Sequence, residues 1–302
     1  MTRAVYHEGE RAVQERAGVR AMADRIGRGI DDALSPAIAE FLAQRYSVIL
    51  GIIDLSGWPW ASQVVGPPGF ITALDERTLR FDAAPVAGDV LHESLRANPK
   101  LALLAIDLTT RRRARVNGRA ELRASGAIEL HVEEVFGNCP KYIQRREPVA
   151  VRTDDPVGAV EVEVEPAMSQ KVRDLVAAAD TFFLATAHPQ GGADVSHRGG
   201  RTGFVRVIDR RTLLWPDYTG NMMFQSLGNL AVDGGAGLLF VDWGGSATVQ
   251  LTGRASVDWD PERAAAFPGA QRLVELAVHE VRWNPAGNPI QWRLLESTPH
   301  NP

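Results

Sequence analysis

A single cysteine, Cys139, leaves this chain of 302 residues without an internal disulfide framework. No apolar run reaches the roughly eighteen residues of a membrane-spanning helix. The opening stretch MTRAVYHEGERAVQERAG has no apolar core of a secretory leader. These absences predict a soluble, cytoplasmic protein with no membrane partner. Positive charge is not in excess either. Lys and Arg number 33 against 37 Asp and Glu, a net charge of -4, which argues against a nucleic-acid partner held by general electrostatics. No His, Cys, Asp or Glu group shows metal-ligand spacing, and no serine sits in a nucleophile elbow. Cys139 itself reads as a packed thiol or one beside a helix cap.

What the sequence does contain is a repeat. Gly69-Phe70 matches Gly203-Phe204, and Asp75, Arg77, Thr78 and Leu79 match Asp209, Arg211, Thr212 and Leu213, all at a shift of 134. Ser62 and Gly66 fall on Ser196 and Gly200 at the same shift. Leu103, Leu104, Asp107 and Gly118-Arg119-Ala120 match Leu238, Leu239, Asp242 and Gly253-Arg254-Ala255 at 135. Glu129, Leu130, Val132 and Val135 match Glu275, Leu276, Val278 and Val281 at 146, so the second copy carries an insertion of about eleven residues. The unit is longer than a solenoid repeat, so the chain is a duplicated domain. The expected division is 1–34 as a helical extension, 35–158 as the first copy and 159–302 as the second. Each copy is long enough to bury its own core.

Residues 9–34 carry helical spacing at Val13, Ala17, Met22, Ile26 and Ile30, and read as a packing helix. His7 and Glu8 before it carry no assigned chemistry. Ser35-Pro36 is a helix start. Short apolar segments with β-branched residues follow: 47–55, 58–65, 70–74, 79–81, 101–108, 111–122 and 128–135. Residues 90–97 read as a short helix. Residues 136–146, FGNCPKYIQRR, read as a second one, capped by Asn138 and carrying Lys141, Tyr142, Arg145 and Arg146. Residues 148–158 form a linker, and Val160, Val162 and Val164 alternate in a strand. Copy 2 repeats the order, with a strand at 204–208, a stop at Pro216 and a helix at 224–230. Many short antiparallel strands with small helices predict a mainly β (α+β) fold, two tandem split β-barrels with short covering helices and an N-terminal helix.

The run FFLATA…GGADVSHRGG…GFVRVIDRRTLLWPDYTGNMMFQSLGNL resembles the pyridoxamine 5′-phosphate oxidase-like, FMN-binding split barrels. The resemblance covers both copies. It implies a flavin at the interface of a barrel pair, here a pseudo-dimer within one chain, with a homodimer of such chains also open. An FMN-binding oxidoreductase follows, with a small-molecule substrate or electron donor. A non-catalytic flavin or haem binder and a deazaflavin-dependent reductase are the alternatives.

The residues offer a matching set. Copy 2 supplies Ser196, His197 and Arg198 on one strand end, and Asp217, Tyr218 and Asn221 on the next. Copy 1 supplies Lys141, Tyr142, Gln144 and Arg145. The mirrored positions lack these groups: Gln63, Val64 and Val65 stand opposite His197, Arg198 and Gly199. One composite site with its mirror lost is therefore expected. The family often has a basic residue where Asn221-Met222-Met223 stands, which shifts the phosphate contact to Lys141, Arg145 and Arg198. His197 is equally readable as a solvated strand residue. Arg111 to Arg113 and Arg115 read as one solvated strand face. His188, His279 and His300 read as surface residues.

Overall fold

A computed structural model describes residues 5–83, 86, 88–151 and 161–302. The N-terminal stretch is two helices, α1 (Glu8–Arg16) and α2 (Arg20–Gly27), and not one. Gly18 separates them with φ of +71°, a left-handed conformation that glycine adopts without strain. α3 (Pro36–Ala43) starts as read, with Ser35 Oγ accepting from Ile38 N at 3.3 Å.

Copy 1 then runs through β1 (Ser47–Ile53), β2 (Pro59–Val65), β3 (Ile71–Asp75), β4 (Thr78–Phe81), α4 (Leu91–Ala97), β5 (Lys100–Asp107), β6 (Arg112–Leu122), β7 (Ile128–Gly137) and β8 (Arg145–Val151). A short β9 (Glu163–Glu165) and α5 (Gln170–Ala178) lead into copy 2. Its elements are β10 (Thr181–Ala187), β11 (Ala193–Gly199), β12 (Arg206–Val207), β13 (Thr212–Tyr218), α6 (Gln225–Val232), β14 (Gly235–Val241), β15 (Thr248–Asp258), α7 (Pro261–Ala265), β16 (Ala270–Asn284) and β17 (Ile290–Glu296). None of the described helices is long and apolar enough to cross a membrane.

The two large sheets have one strand order. The first is β2-β1-β5-β6-β7-β4-β3 and the second β11-β10-β14-β15-β16-β13-β12, which is the same path in the second copy. Among the described residues the pairings of these strands are antiparallel. Even the irregularities repeat: a register shift falls at Asn117/Gly118 in one copy and at Thr252/Gly253 in the other. A Cβ at either glycine would collide with a backbone carbonyl of the neighbouring strand, so the bulge requires glycine. The inserted residues of copy 2 form α7 and its flanks, between β15 and β16. The fold is mainly β, two tandem split barrels.

Four local readings need correction. Residues 136–146 are not a helix. β7 runs to Gly137, Pro140 and a left-handed Tyr142 (φ 66°) fill a turn, and Arg145 already belongs to β8, whose ladder with β17 claims it. Residues 148–151 belong to the same strand and are no linker; 152–158 lie outside the described residues. The strand around Val164 is only β9, which pairs with β16 of copy 2; Val160 lies outside the described residues. Pro216 does not stop its strand: it pairs with Leu273 inside β13. β12 has ended by that point, so one side of β13 is an open edge where a missing N–H breaks no ladder bond.

Each barrel has its own apolar core, with Leu50, Trp60, Phe81 and Leu103 in the first and Phe182, Trp215, Leu238 and Phe240 in the second. A third core lies between them. Ile49, Ala61, Ala102 and Leu104 of copy 1 meet Phe183, Val195, Leu239 and Val241 of copy 2. Small residues let the sheets approach closely here. A Cβ on Gly237 would strike the backbone of Pro59 and Trp60. Leu104→Ala, 1% exposed in this shared core, should cost about 2–5 kcal/mol in urea titration. A loss below about 1 kcal/mol would show that the barrels do not pack through it.

Candidate functional site

The shared core ends at a cavity of about 210 Å³ between the copies. β11 supplies Ser196, His197, Arg198 and Gly199, and β13 supplies Asp217 and Tyr218. The loop before α6 adds Asn221 and Phe224. Copy 1 reaches in with Lys141 and Tyr142 from the turn after β7, and with Arg113 and Arg115 from β6. Ala17 and Val19 of the N-terminal segment close one side. Eight of the ten sequence-derived candidates thus line one cavity.

The other two serve elsewhere. Gln144 is buried, and its amide donates to Gly200 O at 2.9 Å and accepts from Thr298 N at 2.8 Å. It ties the copy-1 turn to the end of β11 and to the C-terminal residues. Arg145 donates to Thr109 O at 2.9 Å and to Glu296 at 3.0 Å.

Arg113 and Arg115 are the residues sequence reasoning missed. They do not lie on a solvated face. Arg115 is 4% exposed, and it pairs with Asp194 and donates to Gln225 Oε1 at 2.9 Å. Burial, with Arg113 and Arg198 nearby, pulls its pKa down to about 9. The Arg113 side chain has no hydrogen bond or ion pair among the described residues, and its Nε is buried without a partner. Desolvation, reinforced by Arg198, lowers it to about 10. A signal was present in the repeat. At the shift of 135 these positions are Thr248 and Gln250, and a merely solvated face has no reason to lose its charge in one copy only.

The cavity is strongly cationic. Arg113, Arg115, Lys141, Arg198 and Arg272 line it against one carboxylate, Asp217. Asp217 is itself engaged by Arg198 at 2.7 Å and Arg272 at 3.6 Å. Lys141 has no ion pair among the described residues. The N-terminus of α6 opens beside these cations with no side-chain cap. Donors without acceptors, excess positive charge and a helix N-terminus are features that suit an anion.

Other features fit a flat ligand. Tyr142 and Tyr218 lie 5.2 Å apart with their rings tilted by 31°, one from each copy. His197 is 7% exposed, and neither ring nitrogen has a partner. Burial, with Arg113, Arg146 and Arg198 around it, holds its pKa well below the ordinary value, so it is neutral and not a solvated strand residue. Ser196 Oγ lies 2.9 Å from Ser226 Oγ, which donates to Asp194 Oδ2 at 2.8 Å.

The backbone is strained at the same place. Four non-glycine residues among those described have positive φ, and three of them, Tyr142, Met222 and Phe224, line this cavity. The copies also touch here: a Cβ on Gly199 would collide with the Tyr142 carbonyl oxygen.

The mirrored place is filled. Gln250, at the Arg115 position, donates to Ser62 Oγ at 3.2 Å and to Asp89 Oδ2 at 3.0 Å, and Ser62 donates to Asp89 Oδ1 at 2.8 Å. Burial raises the Asp89 carboxyl to about 6. The guanidinium groups are replaced by an uncharged network around a buried acid, which does not suit an anion.

A cluster that sequence spacing does not show is His7, Glu8 and His188, whose ligand atoms converge within 4.8 Å. His188 is 5% exposed, so it is no surface residue. Its Nδ1 accepts from Gly191 N at 2.7 Å, which puts its proton on Nε2, facing Glu8 at 3.0 Å. His7 Nδ1 accepts from Gly9 N at 3.1 Å and its Nε2 faces Asn229 at 2.9 Å. A metal at either Nε2 would have to displace that proton. The trio instead ties the N-terminal segment to copy 2.

Tandem split barrels with a cationic cavity between them define the class. The model of the pyridoxamine 5′-phosphate oxidase family matches the chain twice, over residues 34–165 and 168–293, and the chain belongs to that family. No curated protein matches it. Among solved structures, HupZ of Group A Streptococcus is 16% identical, with 40% of this chain and 98% of that one covered and a TM-score of 0.34. A putative pyridoxamine 5′-phosphate oxidase of Lactobacillus delbrueckii is 21% identical, covering 39% and 94%, with a TM-score of 0.32. A structure described as an F420 reductase is 18% identical, covering 33% and 95%, with a TM-score of 0.24.

His197 should remain neutral at pH values where an exposed histidine is already protonated, read from its imidazole nitrogen shifts by NMR. Titration at the ordinary histidine value would mean that the ring is solvated.

Proposed function

We propose that the cavity between the copies binds FMN and that the chain is a flavin-dependent oxidoreductase of the cytoplasm. The observation that carries this is Arg113, a guanidinium with a buried Nε and no carboxylate partner, beside Lys141 and the uncapped start of α6. A buried cation without a counter-charge is costly unless a ligand supplies one. A phosphate does so, and family membership makes a flavin phosphate the natural choice.

Arg113, Lys141 and the first N–H groups of α6 would hold the phosphate. Arg115 would add charge from behind while paired with Asp194. Arg198 and Arg272 are already engaged by Asp217, so their part is to shape the wall. Ser196, His197 and Asn221 would meet polar edges of the ring or ribityl chain, and Tyr142 with Tyr218 would supply a flat wall. A neutral His197 can donate from one nitrogen and accept at the other. A bound flavin supplies hydride acceptance and electron transfer to a second partner. A small substrate or electron donor would approach past Thr219 and Gly220, which are exposed at the rim.

The test is flavin titration by fluorescence quenching. One FMN should bind per chain. Arg113→Gln and Lys141→Ala should each weaken binding by about tenfold to a hundredfold, the loss of a charge-assisted hydrogen bond worth roughly 1.5–3 kcal/mol. Thr248→Ala, at the mirror of Arg113, should leave affinity unchanged. Binding of two flavins per chain would defeat the composite site, and absence of quenching with the unaltered chain would defeat the flavin reading.

A further inference from the structure

A second cavity, of about 360 Å³, lies across the Arg115–Asp194 pair from the first. Arg115 lines one cavity, Asp194 lines the other, and Gln225 lines both. The second cavity is walled by the N-terminal segment, by β6 and β7 of copy 1, and by β11 with the turn before it. No part of the flavin reading uses it.

Of the charges that line it, Glu8 faces His188 and Lys100 donates to Pro189 O, and the others differ in depth. Glu10 and Asp194 are buried, at 6% and 3% exposure, whereas Arg11 and Arg119 are exposed. Asp194 is paired with Arg115, but Glu10 has no such guanidinium. It accepts the His7 backbone N–H at 2.7 Å and has the His7 ring at 3.5 Å. Burial, with Glu134 adding to it, pushes the Glu10 carboxyl up to about 8, and Arg115 and Arg11 offset this only in part.

Asn117 supplies an independent observation. It is 9% exposed and lines the cavity. Its Nδ2 donates to Glu134 at 3.2 Å, while its Oδ1 is buried with no partner among the described residues. A buried amide oxygen left unpaired costs free energy that a donor from a ligand would recover. Arg11 and Arg119 have no side-chain hydrogen bond or ion pair among the described residues. The cavity therefore has unpaired acceptor capacity in its depth and two cations without partners at its mouth.

The geometry points to a binding site for a small zwitterion, an amino acid in chemical class, whose primary ammonium group enters between Glu10 and Asn117 Oδ1 and whose carboxylate stays outward at Arg119 and Arg11. An ammonium beside Glu10 favours the ionised carboxylate. Binding near neutral pH therefore releases a proton from Glu10, and affinity rises as pH approaches 8. The groups facing Glu10 are Tyr6, His7 and Arg11 on its own segment, Arg115 on β6 and Glu134 on β7. His7 is lowered to about 4 by burial and by His188, so it does not titrate in that window.

The test is calorimetric titration of the full chain with three probes: γ-aminobutyrate, butylamine and butyrate. γ-Aminobutyrate should bind most tightly, butylamine about tenfold more weakly, and butyrate should give no heat. Glu10→Gln and Asn117→Ala should each weaken both amines by about tenfold, with folding checked by circular dichroism. Arg119→Ala lies on the surface and keeps the fold; it should bring γ-aminobutyrate to the level of butylamine and leave butylamine unchanged. FMN titration of Arg119→Ala should match the unaltered chain, which separates this site from the flavin cavity. Silence with all three probes, butyrate binding as tightly as butylamine, or amine affinity unchanged in both Glu10→Gln and Asn117→Ala would overturn the assignment.

Discussion

The structure depends on the close approach of two sheets across the shared core. Gly237 lies against the backbone of Pro59 and Trp60, Gly51 against Val195 and Asp194, and Ala61 and Ala102 complete a seam of small side chains. Large residues there would hold the barrels apart. With the sheets in contact, β6 of copy 1 runs beside β11 of copy 2, and arginines of one copy reach strand ends of the other. Neither barrel alone has the cationic cavity. The site is a property of the interface, and its stability is that of Leu104, Phe183, Leu239 and their neighbours.

Duplication within one chain makes the asymmetry possible. Two identical subunits about a twofold axis carry the same residues at both mirrored sites. Here the halves are separate sequence, so Arg113 and Arg115 can stand opposite Thr248 and Gln250. The same buried positions have two solutions. One keeps guanidinium groups with too few carboxylates. The other closes on itself, with Gln250, Ser62 and Asp89 satisfying one another. A closed polar network stabilises locally and recruits no anion, and an unclosed one is the reverse.

Strand order and barrel cores were legible because the sequence states them twice. Leu103 with Leu238 and Phe70 with Phe204 proved buried in matching places. The strand-end groups His197, Arg198 and Asp217 were legible from their loss in the other copy. The failures share a cause. Arg113 and Arg115 alternate with Ala114 and Val116, which within one barrel is the pattern of a wet face; only the second barrel makes that face dry. The turn at Lys141 and Tyr142 was read as a helix because its outcome is decided by β17, which lies about 150 residues further on and takes Arg145 into a ladder. Non-local pairing overrides local propensity at such places.

The N-terminal segment adds a constraint absent from both copies. α1 crosses α6 where Gly9 meets Gly228, and a Cβ on either would strike the other helix. Gln14 donates to Met223 O at 2.8 Å, in the strained loop that ends at Phe224. His7 and Glu8 fasten the start of α1 to Asn229 and His188. The segment thus clamps the helix whose N-terminus faces the cationic cavity, and its residues Ala17 and Val19 wall that cavity directly. On its other side Glu10 closes the second cavity. The segment touches both, and Arg115 with Asp194 and Gln225 forms the partition between them.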